Sequence, residues 1–535
     1  MKKVFTLSLI LFYTIISIAQ EYQWSVPLKG YISGETTREP EAFLWIPPKC
    51  SKLKSIVFSQ QNMSEETLFD MPSFRNALEA MDIGIIWITP PLDYPWDVNK
   101  GVQSIFDEML KDLAFVSGYD EIEFVPLVPV GHSAMATFPW NFAAWNPERT
   151  LAVISLHGDA PRTNLTGYGR ENLEWGRTRN IDGIPGLMIE GEYEWWEARV
   201  NPALAFRMMY PESCISFLCD AGRGHFDLSE ETAAYIALFI DKAMQQRLQV
   251  DESLATNNAK LKKINPKDGW MAKRWVRGEK KRPKSAPFNQ YKGNKHDSFW
   301  YFDGEIAQLT ENRYTRSLGK KNQYISFVKN DSLLQYNSSN HVAIQSLFQP
   351  ANDGITFFLK AVFTDSLYKN FSNDHVASMP RIRKVCGPVK VINDTTFRVD
   401  FFRIGMDNKR RTGGISLIAD APGDKHYNSA VQHIGINIPY RNTDGLSQKI
   451  DFPDLSNIKV GTESVTLNAT SSLGLPVSYY IKDGPAYVKD NQLIFTSIPE
   501  RSKYPLRITV VAWQYGILGE IQTAEPVTQT FYLIQ

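Results

Sequence analysis

The residues best suited to chemistry are a serine, a histidine and a set of acids, each placed just after an apolar run. Phe124 to Val130 is followed by Gly131-His132-Ser133-Ala134-Met135 and then by a helical stretch through Trp145. A strand, a tight turn through serine and then a helix is the setting in which a hydroxyl is held exposed on a strained turn to act as a nucleophile. Such a turn needs small neighbours. Gly131 meets this need, whereas Met135 stands where the usual G-x-S-x-G pattern has its second glycine. Pro126 and Pro129 are unusual in a central strand, because each removes a ladder donor, and Pro139 should bend the following helix.

A serine hydroxyl needs a base, and the base in turn needs an orienting acid. Gly222-Arg223-Gly224-His225-Phe226-Asp227 follows the last apolar run of this region and precedes its last helix, so glycines can bend the chain to present His225. Between serine and histidine lies Gly186-Leu187-Met188-Ile189-Glu190-Gly191-Glu192-Tyr193-Glu194. Alternation puts Glu190, Glu192 and Glu194 on one face if the strand continues. Asp159, in His157-Gly158-Asp159, is a further candidate acid. His132 and His157 read as lining or structural residues, His157 lacking the glycine-rich presentation of His225. No H-E-x-x-H or clustered histidine spacing is present, so no metal is expected, and no cofactor.

The elements needed to hold these groups lie between Ser55 and Arg247. Short apolar runs at Ile56-Val57-Phe58, Ile83–Ile88, Phe124–Val130, Leu151–Leu156, Leu187–Ile189 and Ile215–Leu218 read as buried strands. Amphipathic stretches such as Ser64–Met81, Gln103–Phe115 and Ser229–Met244 alternate with them, the last opening on a serine cap. This alternation predicts an α/β fold: a doubly wound, mostly parallel sheet covered on both faces.

With Ser133, an acid and His225 occurring in that order, each after its own strand, the region resembles the α/β-hydrolase superfamily over a little under half of the chain. The resemblance implies Ser133 as nucleophile and His225 as general base and then acid. It implies Glu194 as the residue that orients the imidazole, since the acid in this fold commonly follows its strand as G-x-x-D; Glu192 ranks second and Asp159 third. The backbone N–H of Ala134 is implied as one oxyanion donor. The other is expected from the loop Ser59-Gln60-Gln61-Asn62-Met63, with Gln61 first and Asn62 next. This loop departs from the family's usual His-Gly. The segment Asp159–Pro185 joins two strands where such enzymes often carry a lid. Its Trp175 and Arg162, with Trp195 and Trp196 beside the acid, are expected to contact substrate, the aromatic faces suiting sugar rings.

The remaining chain divides further. Residues 1–19 have a basic start at Lys2 and Lys3, an apolar run and small residues at Ser17 and Ala19, as in a signal peptide cleaved after Ala19; the protein is therefore expected to be secreted or periplasmic. The hydrolase-like part is expected over residues 20–250. Residues 251–287 read as a basic linker or wrapping arm, with eleven Lys or Arg and two acids between Lys260 and Lys284. Residues 288–445 read as a β-rich accessory domain with an appended helix at Gly304–Ser317, and 446–535 as an Ig-like β-sandwich, similar to repeats common in secreted bacterial proteins. These C-terminal modules are candidate surfaces for cell-surface or glycan contact.

Composition bounds the function. Lys+Arg and Asp+Glu are both 58 in 535 residues, without the basic excess of a nucleic-acid binder. No segment is long and apolar enough to span a membrane. Four cysteines are too few for a disulfide scaffold, with Cys214 and Cys219 unable to bridge each other and Cys50 and Cys386 open. The expected activity is that of a serine hydrolase acting on carbohydrate-linked carboxylic esters, small or polymeric. A serine peptidase of the same fold and a catalytically silent glycan or surface binder are the alternatives.

Overall fold

The structure, a computed structural model, describes residues 21–162, 173–194, 197–249 and 259–535. The expected signal peptide, Trp195 and Trp196 lie outside the described residues. An eight-stranded sheet contains β1 (Trp24–Pro27), β2 (Glu41–Trp45), β3 (Ser55–Gln60), β4 (Ile83–Thr89), β5 (Leu127–His132), β6 (Val153–Leu156), β7 (Pro185–Gly191) and β8 (Cys214–Asp220). Their spatial order is β1-β2-β4-β3-β5-β6-β7-β8. β1 and β2 are antiparallel; β3 to β8 run parallel. This is the α/β-hydrolase fold. Every residue of β3 through β8 is buried, which is why these strands read as unbroken apolar runs.

The helices α1 (Ser64–Asp70), α2 (Pro72–Ala80), α3 (Val102–Ser117), α4 (Phe138–Trp145), α5 (Glu197–Met209) and α6 (Glu230–Arg247) connect the strands. The stretch expected as one helix over Ser64–Met81 is two, because Pro72 cannot continue the first. Ser229 caps α6 by accepting the Thr232 N–H at 3.1 Å. The proline in β5 is accommodated by a gap in pairing. An isolated bridge joins Leu127 to Thr150, and the ladder to β6 resumes only at Val130, so Pro129 is unpaired on that side and in register only with Phe58 of β3.

Of the two readings of the chain after α6, a linker or a wrapping arm, the described residues take the form of the arm. β9 (Trp270–Lys273), β10 (Ala286–Pro287) and β11 (Ser298–Tyr301) form a small sheet, followed by α7 (Gly304–Tyr314). Met271, Ala272, Trp275, Trp300 and Tyr301 are buried in the same core as β6, β7 and β8. Ser216 Oγ donates to the Trp300 carbonyl at 2.5 Å, and Tyr301 and Tyr314 donate to that of Phe217 at 2.6 and 2.8 Å. The basic side chains thus decorate a packed arm whose apolar residues interleave with them, which net charge along the sequence concealed.

Residues 321–441 form a second, β-rich body whose core, around Phe327, Phe357, Phe397 and Leu417, also takes in Trp513 and Tyr515 of the last segment. Its largest sheet has four strands, Ile344–Leu347, Ala430–Asn437, Gly414–Ala421 and Arg381–Cys386. The run expected as one strand over Ile355–Phe363 is split into Thr356–Phe358 and Lys360–Thr364, which belong to different sheets. The last segment has a four-stranded and a three-stranded sheet sharing buried Tyr479, Ile481, Ala486, Leu493 and Ile508, consistent with a β-sandwich. Those side chains join the core beside β1 and α3, and Arg501 pairs with buried Glu121 at 2.9 Å, so this unit is docked. All four cysteines are free thiols. Among the described residues no helix is long and apolar enough to cross a membrane.

Candidate active site

Four adjacent strands deliver one group each at their carboxyl ends, the edge at which parallel α/β sheets bind ligands. β5 ends at His132, and the next residue is Ser133; β6 ends at Leu156, and the next is His157. Glu194 closes a short 3-10 turn directly after β7, and His225 follows β8 by five positions. Ser133 adopts φ 53°. That left-handed conformation costs a residue with a Cβ about 1–2 kcal/mol and persists only where packing enforces it. Here a Cβ on residue 131 would lie 2.0 Å from the Met135 carbonyl oxygen, so only glycine permits the turn to close. Met135 is tolerated because its side chain is buried in the core.

The His225 Nδ1–H faces and donates to Glu194 Oε2. That fixes the tautomer, leaving Nε2 to accept from Ser133 Oγ–H at 2.9 Å. Glu194 is therefore the acid that meets His225. Glu192 instead accepts the Gly222 N–H at 2.9 Å, and Asp159 faces Arg199 Nε at 3.6 Å. The loops carrying Glu194 and His225 touch: a Cβ at Gly191 would lie 2.6 Å from the Arg223 carbonyl oxygen.

Glu194 serves two imidazoles. His157 Nδ1–H donates to its other oxygen, Oε1, which also accepts the Gly191 N–H at 3.0 Å. Burial alone would raise the Glu194 pKa, but His157 and His225 outweigh it and hold the carboxyl well below its ordinary value. Burial lowers the pKa of His225, with Glu194 opposing. Burial likewise disfavours charge on His157, yet Glu194 prevails and raises it. Nearby Glu190, buried and bonded to Arg199 Nη1 at 2.9 Å, is pushed up to about 8 by burial. His157, Glu194 and His225 also have donor atoms within 4.8 Å of one another, a spacing that could admit a metal ion. Each imidazole Nδ1 is engaged by the carboxylate, however, and His225 Nε2 is turned to the serine, so the group as it stands is a hydrogen-bond relay.

The expected second oxyanion donor requires a correction. The Gln61 N–H extends the β3–β4 ladder by donating to the Ile88 carbonyl at 2.8 Å and is thereby removed from consideration. The backbone N–H groups of Asn62 and Ala134 have no acceptor among the described residues. What holds the Asn62 loop is visible only in the tertiary structure. Glu65, buried on α1, accepts from the Met63 N–H at 2.8 Å and the His132 N–H at 2.7 Å, tying the loop to the serine strand. Burial raises its pKa to about 7. Asn62 Nδ2 donates to the His132 carbonyl at 2.8 Å, and Arg411, from the second body, donates to the Asn62 carbonyl at 3.2 Å. Arg411 is itself held by Glu35 at 3.1 Å. His132 is structural, its Nε2–H donating to the His225 carbonyl at 2.8 Å.

Trp175 is a second correction: it is fully buried and donates to Asn141 Oδ1 at 2.8 Å, so no substrate reaches it. Arg162 is committed to Tyr210 and to Glu174 at 3.7 Å. The second body instead closes over the site. Its His341 ring lies 5.0 Å from that of His225, and His433 stacks on Phe226 at 4.1 Å. Arg223–Asp420 at 2.7 Å, Lys384–Glu66 at 2.7 Å and Arg383–Asp227 clamp it in place. Ser133 remains partly exposed beneath it.

No family model matches the chain, and no curated protein does. Among solved structures the chain is similar to a fluorophosphonate-binding serine hydrolase of Staphylococcus aureus, at 13% identity and a TM-score of 0.29, over 42% of this chain and 98% of that one. It is also similar to an S-formylglutathione hydrolase of Staphylococcus aureus, at 12% identity and a TM-score of 0.30, over 42% and 98%. A hyperthermophilic esterase of the archaeon Pyrobaculum calidifontis gives 12% and 0.30, over 42% and 84%. Strand order alone defines an α/β-hydrolase fold, to which two further β-rich bodies are joined.

Proposed function

We propose that the protein is a serine hydrolase that cleaves carboxylic esters through an acyl-enzyme, and that it acts outside the cytoplasm on carbohydrate-linked substrates. The observation that carries this reading is Ser133 Oγ–H directed at His225 Nε2 at 2.9 Å from a left-handed turn. Ser133 Oγ attacks the ester carbonyl while its proton passes to His225 Nε2; Glu194 stabilises the imidazolium through Nδ1–H. The tetrahedral oxyanion is received by the N–H groups of Ala134 and Asn62. Collapse breaks the bond to the leaving alcohol, which takes the proton from Nε2. Water then repeats the sequence on the acyl-serine and releases the acid.

Labelling of the full chain with a fluorophosphonate probe, followed by peptide mapping, tests the proposal. The expected result is modification at Ser133, and loss of p-nitrophenyl acetate hydrolysis on the order of 10⁶-fold, or to background, in Ser133→Ala. Folded protein that neither labels nor turns over any ester would instead favour a silent binding role.

A further inference from the structure

Between the arm, the turn carrying Glu194 and the second body lies a cleft of about 590 Å³ whose walls suit a sugar with a negative charge. We propose that it binds an acidic glycan, the carbohydrate portion of the ester substrate; this rests on the hydrolase reading above. Tyr324, Tyr336 and Tyr368 line one side. The Tyr336 and Tyr368 rings are stacked, with centroids 3.9 Å apart and planes within 10°, and Tyr324 meets Tyr368 edge-on at 5.8 Å. All three are only partly buried, so aromatic surface remains open to the C–H face of a pyranose. Tyr368 stands at φ 56°, on a turn in which Asp365 accepts the Leu367 and Lys369 N–H groups at 3.2 and 3.0 Å. A bulky residue held in that conformation marks a locally imposed presentation of its ring.

The lining also carries three cations, Arg277, Lys280 and Lys320. Arg277 donates to the Glu192 carbonyl at 2.7 Å, and neither lysine has an ion-pair partner among the described residues. The one acid in the lining, Glu192, is buried, with its carboxylate turned to the Gly222 N–H. The accessible charge in the cleft is therefore all positive, although the chain as a whole is neutral. Carboxylate and sulfate substituents are recognised by such groups. Glu192 and Tyr193, which form part of the wall, belong to the same short turn as Glu194. A glycan held here thus lies against the loop that orients the base. Nucleic acid, which also combines stacking with negative charge, is disfavoured by the chain's balanced charge.

Calorimetric titration of the full chain carrying Ser133→Ala tests the inference. Trigalacturonate supplies carboxylates, a carrageenan tetrasaccharide supplies sulfates, and cellotetraose is neutral. The expected result is at least tenfold tighter binding of one anionic sugar than of cellotetraose, weakening as NaCl rises. Adding Lys280→Glu and Lys320→Glu should weaken that binding at least tenfold, with an unchanged melting temperature as the check on folding. Equal binding of neutral and acidic sugars, no binding of any sugar, or preference for a thymidine tetranucleotide would overturn it. Probe labelling of Ser133 in the unmutated chain reports separately on the hydrolase reading, so the two can fail independently.

Discussion

The parallel sheet and the β-rich body packed on its carboxyl edge solve different problems. The sheet carries the proposed catalytic groups and a neighbouring imidazole: Ser133, His157, Glu194 and His225 each stand at the end of one of four neighbouring strands, and their strands are buried without exception. The second body supplies none of the three proposed catalytic side chains, yet it bonds to the Asn62 carbonyl through Arg411 and places His341 beside His225. A rigid sheet can aim side chains along its strands, but a loop such as 61–63 leaves the sheet and must be held from elsewhere. The division of labour is that one region sets the chemistry and the other sets the shape of the space in which it occurs.

That contrast can be broken from the sheet side first. Glu194→Gln should reduce kcat for p-nitrophenyl acetate on the order of 10³-fold or more, since it misorients His225 and removes the charge facing the imidazolium. A variant retaining most of its activity would show that another acid serves. From the side of the second body, Arg411→Ala should lower kcat about 10- to 100-fold, with a smaller change in KM, because Arg411 holds the loop whose Asn62 N–H is the proposed second oxyanion donor. Arg411→Lys should recover part of the loss, and equal falls in kcat and melting temperature would reduce Arg411 to a structural tie.

The general base must be neutral to accept the serine proton, and burial lowers the pKa of His225. The acid limb of kcat/KM should therefore lie below pH 6.5, with activity lost only as pH falls through that lowered value. His157 is among the groups that lower the pKa of His225, so His157→Gln should move the limb to higher pH. The reverse shift would mean that His157 supports His225. The smallest effect expected is none: incubation with EDTA should leave ester hydrolysis unchanged, and loss of activity restored by a divalent ion would convert the His157–Glu194–His225 group from a relay into a metal centre.

Stability should respond to pH through the buried acids of the same region. Glu65 and Glu190 have folded pKa values of about 7 and about 8, raised by burial. The folded state then binds more protons than the unfolded state between about pH 4.5 and those values, so their contribution to stability falls as pH rises through this window. A smaller fall in melting temperature between pH 6.5 and pH 8 in Glu190→Gln than in the unmutated chain is the expected record.

Much of the sheet was legible because burial on both faces forces apolar composition on parallel strands, and turn glycines such as Gly131 and Gly222 leave a plain mark. The edge strands β1 and β2 were missed, being short and set apart from the helical alternation. Of the two oxyanion candidates on the β3 loop, the first, Gln61, spends its N–H on Ile88, since whether a backbone N–H enters a ladder depends on where pairing with β4 stops. Trp175 looked like a ligand contact from its residue type alone, and only packing showed it sealed against Asn141.

Residue types and their order along the chain determined the fold class and nominated Ser133, Glu194 and His225, because local periodicity and turn chemistry are written in adjacent residues. Tertiary structure alone decided that His157 shares the Glu194 carboxylate, that Arg411 braces the Asn62 loop, and that tyrosines and lysines from separate stretches face one cleft. Those relations join residues tens to hundreds of positions apart, and a linear pattern carries no information about which distant surfaces will pack together.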